Sequence, residues 1–350
     1  MNVPIELRSD NAAGAAPEIL AAIGAADVGS ALAYGDDLWT AGLQTMVREV
    51  FEHPEATVFP VISGTAANSL ALAAMCPPWG AVLCHETAHI MQSEGGATSM
   101  FSGGAVMRGL TGDEHHLVGA HDVQAAYDAT RWGDNHHSQP AVLSLTNPTD
   151  FGTIYSPQRV AALSAVARAR SLRVHMDGAR IANAIAALGC TPAELTWRAG
   201  VDVFSLGAMK NGSVSTDAIV CFDPAVAAQL HYRLKRAGHV ASKMRFQSVQ
   251  LHAYLRDGLW LRLAAAANRA MAKLAAGLSG LGLQFVDHPD VNMVFVRVDE
   301  SVIVRMEHSG LFFYRMGPGL IRLVTSFQTT DAEIDDAVAR IAAAVAGNDR

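Results

Sequence analysis

The run Val201-Asp-Val-Phe-Ser-Leu-Gly-Ala-Met-Lys-Asn-Gly212 decides the reading of this chain. Val201 to Leu206 reads as a short strand, mostly apolar and with β-branched residues. A turn bounded by glycines follows and carries Lys210, flanked by small residues. A lysine at a strand end in apolar surroundings is desolvated, which lowers its pKa and frees the amine as a nucleophile. Upstream, His175-Met-Asp-Gly-Ala-Arg180 reads as another strand end, carrying Asp177. A buried Lys and a buried Asp at successive strand ends suggest pyridoxal phosphate (PLP). Lys210 would form a Schiff base with it, and Asp177 would pair with the pyridinium nitrogen.

Working outward, short apolar runs alternate with helical patterns. The strands expected are Thr57–Ile62, Val82–Cys84, Ala105–Arg108, Val142–Leu145, Arg173–Asp177, Val203–Leu206 and Ala218–Phe222. Helical patterns cover Ala66–Met75, Asp122–Ala129, Pro157–Arg170, Ile181–Leu188 and Pro224–Arg236. Such alternation predicts an α/β fold, a mainly parallel seven-stranded sheet with helices on both faces. After Gln250 the character changes. A long Ala/Leu-rich helix, about Trp260–Leu281, precedes strands at Asn292–Val298 and Ile321–Thr325 and a closing helix at Asp331–Val345. The expected division is therefore an N-terminal arm and large domain over 1–250 and a smaller α+β domain over 251–350.

Composition narrows the class. Of 350 residues, 50% are apolar and 17% charged, enough to bury a sizeable core and too apolar for a disordered chain. The net charge of −7 argues against a nucleic-acid partner. Cys76, Cys84, Cys190 and Cys221 lack metal-ligand spacing and read as thiols of a reducing cytoplasm. The opening Met-Asn-Val-Pro-Ile-Glu-Leu-Arg-Ser-Asp has no signal-peptide pattern, and the uncharged stretch Ala56–Cys84 is broken by prolines and Gly80, so no membrane span is expected. High apolar content with few charges suggests a homo-oligomer.

Other motifs carry chemistry jointly rather than alone. Ser63-Gly-Thr-Ala-Ala-Asn68 follows a strand and opens a helix, so Gly64 and Thr65 would cradle a phosphate. An ordinary N-capped turn has the same sequence, and no Gly-x-Gly-x-x-Gly fingerprint occurs at this junction. His85-Glu-Thr-Ala-His89 matches a zinc-helix pattern. It begins just after a strand and has no evident third ligand, so no metal is expected and a histidine stacked on an aromatic ring competes with a surface histidine. His136-His137 lies in a polar loop, and Asn147 follows the next strand, where its amide could touch a ring oxygen or simply turn the chain before Pro148. Lys243-Met-Arg-Phe246 could be a basic helix face. Arg322, between Ile321 and Leu323, calls for an anionic partner, and a substrate carboxylate fits its fork.

At these residues the sequence resembles the L-threonine aldolases, PLP enzymes of the aspartate-aminotransferase-like fold. The resemblance runs nearly end to end, through Leu7-Arg-Ser-Asp10, Tyr34-Gly-Asp-Asp37, Ser63-Gly-Thr65, His89 with Glu94-Gly-Gly96, Asp177-Gly-Ala-Arg180, Asn292-Met-Val-Phe295 and Ile321-Arg-Leu-Val-Thr325. It implies that Lys210 carries PLP, that Asp177 pairs with the ring nitrogen, and that His89 stacks on the ring. It implies that Arg180 holds the phenolic side and the substrate carboxylate, with Asn147 as a further ring contact. Gly64, Thr65 and Arg245 would bind the phosphate, with Ser63 and Lys243 as further cofactor contacts. Ser9 and Arg322 would bind the carboxylate, His136 would stand near the β-hydroxyl, and Tyr34 would reach a neighbour's site in a dimer or tetramer. Two departures stand out. Many members have Ser-Lys-Gly-Leu-Gly where this chain has Ala208-Met-Lys-Asn-Gly212, and many have Gly-Thr-Gln where Ala66 follows Thr65 here. These differences resemble the subgroup that acts loosely on threonine and on phenylserine.

The implied reaction is reversible cleavage of an L-β-hydroxy-α-amino acid to glycine and an aldehyde, with His136 or a water as base. The rival readings are another PLP reaction on the same fold, such as β-elimination or transamination, a non-catalytic protein of that fold, and a nicotinamide dehydrogenase, which the missing glycine fingerprint disfavours.

Overall fold

A computed structural model describes residues 3–347. Met1 and Asn2 of the opening run lie outside the described residues.

Seven strands form the large sheet: β1 (Thr57–Val61), β2 (Gly80–His85), β3 (Val106–Leu110), β4 (Gln139–Thr146), β5 (Arg173–Gly178), β6 (Val203–Leu206) and β7 (Asp217–Cys221). Their order across the sheet is β1-β7-β6-β5-β4-β2-β3. β7 runs antiparallel to both of its neighbours, β1 and β6, and the other strand pairs are parallel. Each expected strand is present, within a few residues at its ends. The physical reason is visible in the cores. Along β7, Ala218 and Val220 enter the core on one face, and Ile219 and Cys221 enter the core on the other. A strand covered on both faces reads as a continuous apolar run, which is what the sequence displays.

A second, four-stranded antiparallel sheet follows: β8 (Gln284–Phe285), β9 (Met293–Arg297), β10 (Tyr314–Gly317) and β11 (Leu320–Val324), ordered β10-β11-β9-β8. Helices Leu259–Gly280, Glu300–His308 and Asp331–Val345 pack near it.

The two cores do not meet at residue 250. That position lies inside the helix Arg245–Leu255. Leu251, Tyr254, Leu259, Trp260 and Ala264 belong to the large core, while Ala270, Met271, Leu274 and Leu278 belong to the small one. The helix Leu259–Gly280 thus joins both. The N-terminal arm crosses the other way: Ile5 and Glu6 pair in parallel with Leu311 and Phe312, and Ile5 and Leu7 are buried in the small core. This arm carries Ser9 and Asp10 back to the sheet. No helix among the described residues is long and apolar enough to cross a membrane.

Candidate active site

The ends of β4 and β5 lie side by side, with Thr146 paired to Asp177. Parallel strands deliver their C-terminal ends to one edge, so the turns after β4, β5 and β6 converge there. The antiparallel β7 delivers its beginning, Asp217, to that edge as well. A cavity of about 320 Å³ opens at this place. Lys210, Asp177, Arg180, His89, Ser9 and Arg322 line it, as do Ser63, Gly64 and Thr65.

The lysine turn is held by its neighbours. Asp217 Oδ1 accepts from the backbone N–H groups of Ala208 (2.7 Å) and Met209 (3.0 Å). A Cβ on Gly207 would collide with the carbonyl oxygen of Ala179. Only glycine lets the lysine turn and the Asp177–Arg180 turn approach so closely. Burial pushes the Lys210 amine below its ordinary range, and the positive charge of Arg180 adds to this against the pull of nearby carboxylates. The amine is thereby available as a nucleophile.

Asp177 is buried and held by three donors. Its Oδ2 accepts from Asn68 Nδ2 at 2.8 Å, and its Oδ1 accepts from the Ala179 N–H at 3.0 Å and from Ser205 Oγ at 3.3 Å. Asn68 also donates to Glu94 Oε1 (2.9 Å), which lies 3.0 Å from His89 Nδ1. Burial raises the Glu94 carboxyl, and the Glu94 hydrogen bond raises the His89 imidazole, so the pair competes for one proton.

Arg180 is fixed by Asp10. Its Nε and Nη2 donate to the two Asp10 oxygens at 2.7 and 2.9 Å, and Asn292 Nδ2 donates to the same carboxylate at 3.1 Å. Burial works to raise Asp10, but the Arg180 charge and hydrogen bonds outweigh it and hold the carboxyl below its ordinary value. Arg322 differs. Its Nη2 reaches the Arg8 carbonyl at 3.3 Å and its guanidinium lies over the Tyr314 ring, but its Nε is buried without a partner among the described residues. Burial and the charge of Arg180 depress it. A donor left unpaired against a cavity costs free energy until an anion meets it.

The helix Gly64–Met75 begins at the cavity wall. Ser63 Oγ caps it by accepting from the Ala66 N–H at 3.2 Å. The Gly64 and Thr65 N–H groups take no intramolecular partner among the described residues. Free N–H groups at a helix start favour an anion, and a phosphate meets that requirement.

Five expected site residues are not brought here. His136 is exposed in the loop before β4, at the opposite end of the strand from the cavity, so it cannot reach a group bound beside Lys210 of its own chain. A loop that enters a parallel strand lies at the far edge from the loop that leaves it. Asn147 is at the right edge, but its amide donates to the Tyr155 carbonyl (3.1 Å) and accepts from the Tyr155 N–H (3.2 Å), which leaves it bracing a turn. Tyr34, Lys243 and Arg245 form a separate group. The Tyr34 N–H donates to the Ser242 carbonyl, Lys243 is exposed, and Arg245 donates to the carbonyls of Val28 and Gly29 while packing on Trp39 and Phe246. Conversely, the sequence reading passes over Asp10, Asn68, Asp150 and Asp217. Asp150 had a findable signal, since it lies in the turn that leaves an expected strand at the cavity edge.

A lysine freed by burial, an acid and an arginine locked beside it, and an anion-ready helix start make this edge an amine-nucleophile enzyme site on an α/β fold. Residues 6–301 match the family model described as beta-eliminating lyase. Over 342 residues the chain is 40% identical to a low specificity L-threonine aldolase from a Pseudomonas species, covering 97% of each chain. Over 330 residues it is 41% identical to one from Pseudomonas aeruginosa, covering 93% of each. It superposes on a threonine aldolase of Leishmania major with a TM-score of 0.91 at 26% identity, covering 98% of this chain and 100% of that one. The chain belongs to the beta-eliminating lyase family and, within it, to the low specificity L-threonine aldolases.

Proposed function

We propose that this chain is a PLP-dependent aldolase that reversibly cleaves L-threonine, L-allo-threonine and related L-β-hydroxy-α-amino acids to glycine and an aldehyde. The observation that carries the reading is the grouping of Lys210, its pKa lowered by burial, with the locked Asp177 and Arg180 at one cavity whose lining also includes Arg322, with an Nε that has no partner among the described residues. The residues fit the cofactor. Lys210 would hold it covalently, Asp177 would face its ring nitrogen, His89 would lie against the ring, and Ser63, Gly64 and Thr65 would receive its phosphate. When bound, PLP supplies an electron sink for the pair released as Cα–Cβ breaks.

The chain's own side chains supply orientation and proton control. Arg322, helped by Ser9 and Arg180, holds the substrate carboxylate; its fork suits a planar anion. Asp10 keeps Arg180 in place. The Glu94–His89 pair, linked through Asn68 to Asp177, ties the ring-facing histidine to the ring-nitrogen acid.

Three finer points belong to the same reading. The subgroup resemblance supports L-phenylserine as a further substrate. The working form is a homodimer or homotetramer: Leu32 and Tyr34 in one loop and Leu38 at the start of the helix that follows are 72%, 56% and 86% exposed, more apolar surface than a lone chain needs there. Tyr34, Lys243 and Arg245, grouped away from their own cavity, suit a role at a neighbour's. The compartment is the cytoplasm, in keeping with four free cysteines.

A panel of L-threonine, L-allo-threonine and L-phenylserine tests the proposal. Glycine with acetaldehyde or benzaldehyde is expected. Formation of 2-oxobutanoate from L-threonine, or no turnover by cofactor-loaded protein, would contradict it.

A further inference from the structure

Asn68 ends the motif Ser63–Asn68, and its side chain serves two other residues. It stands one turn into the helix Gly64–Met75, four positions beyond Gly64, so it shares that residue's face and lines the same cavity. Helical side chains lean back toward the N-terminus, which aims the amide at the cavity end of the helix. Its Nδ2 donates in two directions, to Asp177 Oδ2 at 2.8 Å and to Glu94 Oε1 at 2.9 Å. One amide nitrogen therefore stands between two carboxylates. Asn68, Asp177 and Glu94 are all buried within one chain, so the contact forms without a neighbouring subunit.

Each carboxylate leans on that donor. Asp177 Oδ1 is held by Ala179 and Ser205, but Oδ2 takes Asn68 alone among the described residues. Glu94 Oε1 takes Asn68 and lies 3.0 Å from His89 Nδ1, while Oε2 is buried with no partner among the described residues. The amide has one usable orientation. Its own Oδ1 is buried without a partner among the described residues, and exchanging it with Nδ2 would set an oxygen against two carboxylate oxygens.

Resting on the aldolase reading, we propose that Asn68 is a positioning residue for the cleavage: its amide bridges Asp177 and Glu94 so that both stay ionised side by side, one turned to the ring nitrogen and the other to His89. Two buried carboxylates this close otherwise compete for a proton. Burial raises the Glu94 carboxyl, the hydrogen bonds from His89 and Asn68 oppose it, and the charge of Asp177 adds to burial. His89 is raised by its Glu94 hydrogen bond, against burial, with the charges of Asp177 and Asp150 adding to the rise. The other charged or titratable groups facing this cluster are Arg180, Lys210 and Asp217 at the cavity, and His175 within β5, which burial lowers to about 4 and so keeps neutral. Without the bridge, one of the two carboxylates takes up a proton. His89 then loses a negative neighbour whichever one it is, and must titrate at lower pH.

The first test needs no catalysis. An NMR titration of histidine-labelled apoprotein, with His89 assigned from the spectrum of His89→Gln, should show His89 titrating lower in Asn68→Ala than in wild type by about half a pH unit or more. An unchanged His89 titration would overturn the proposal. Should Asn68→Ala not fold, Asn68→Ser takes its place, since it has one donor where two are needed. In the loaded enzyme, Asn68→Ala should lower kcat/KM on L-threonine about 10- to 100-fold, the effect of losing a hydrogen bond to a charged group. Placed on Glu94→Gln, which removes one of the two charges, the same substitution should have an effect at least about fivefold smaller. Equal losses in the two backgrounds would mean that Asn68 only fills space, which also overturns the role. A wild type that makes no glycine from L-threonine would instead sink the aldolase reading, and the apoprotein titration would still decide whether the bridge sets the charge of this cluster.

Discussion

His89 and His136 flank strands of the same sheet, and their fates differ. His89 follows β2, lines the cavity and bonds to Glu94; His136 precedes β4 and faces solvent beside Asp134. The two arginines Arg322 and Arg245 make the same contrast. Arg322 has a buried nitrogen without a partner at the cavity, whereas Arg245 is satisfied by two carbonyls and two aromatic rings far from it. The lesson is that residue type proposes a role and strand polarity disposes of it. Groups leaving parallel strands share one edge, and groups entering them face the other way.

The contrast can be pressed experimentally, beginning with its strongest member. Lys210→Ala should leave no measurable turnover, because no other lysine lines the cavity; activity of the purified variant on L-threonine decides. Next, Asp10→Asn strands Arg180 as a buried charge and should cost about 3–5 kcal/mol of stability in urea unfolding at neutral pH. Because the folded Asp10 pKa is lowered, its contribution is fully present above the ordinary carboxylate range and is lost as pH falls through the folded value. The gap between wild type and variant should therefore close in acid, and a gap independent of pH would refute the pairing.

Arg322→Ala should lower kcat/KM by about 30-fold or more, from roughly 2–5 kcal/mol of lost charge-assisted binding. Threonine and phenylserine should suffer alike, with cofactor content normal; a variant that loses cofactor but keeps substrate binding would place Arg322 elsewhere. At the far edge, His136→Ala should change kcat/KM on threonine by less than about twofold. A large loss there would mean that a neighbouring chain carries His136 to this cavity.

Much of this was legible before any coordinates. Six of the seven strands stand out because they are buried on both faces, the edge strand β3 being largely exposed, and Lys210, Asp177, Arg180 and His89 stand out because they flank those strands. The exposed β10 and the two-residue β8 carry no apolar period, so neither was visible. Asn68 was passed over because the helix around it is buried from Ala66 to Met75, leaving no face on which a polar residue looks out of place. Asp217 was hidden by polarity, since only the antiparallel sense of β7 brings its first residue to the site. Asn147 shows the reverse error: the right edge, but an amide spent on Tyr155.

The central claim is that Lys210 is the cofactor-bearing amine of this edge. Loaded protein should be yellow, and borohydride reduction followed by peptide mapping should find the cofactor fixed to the peptide containing Lys210 alone. Fixation on Lys235, Lys243 or Lys273 instead, or no fixation by protein that cleaves L-threonine, would contradict it.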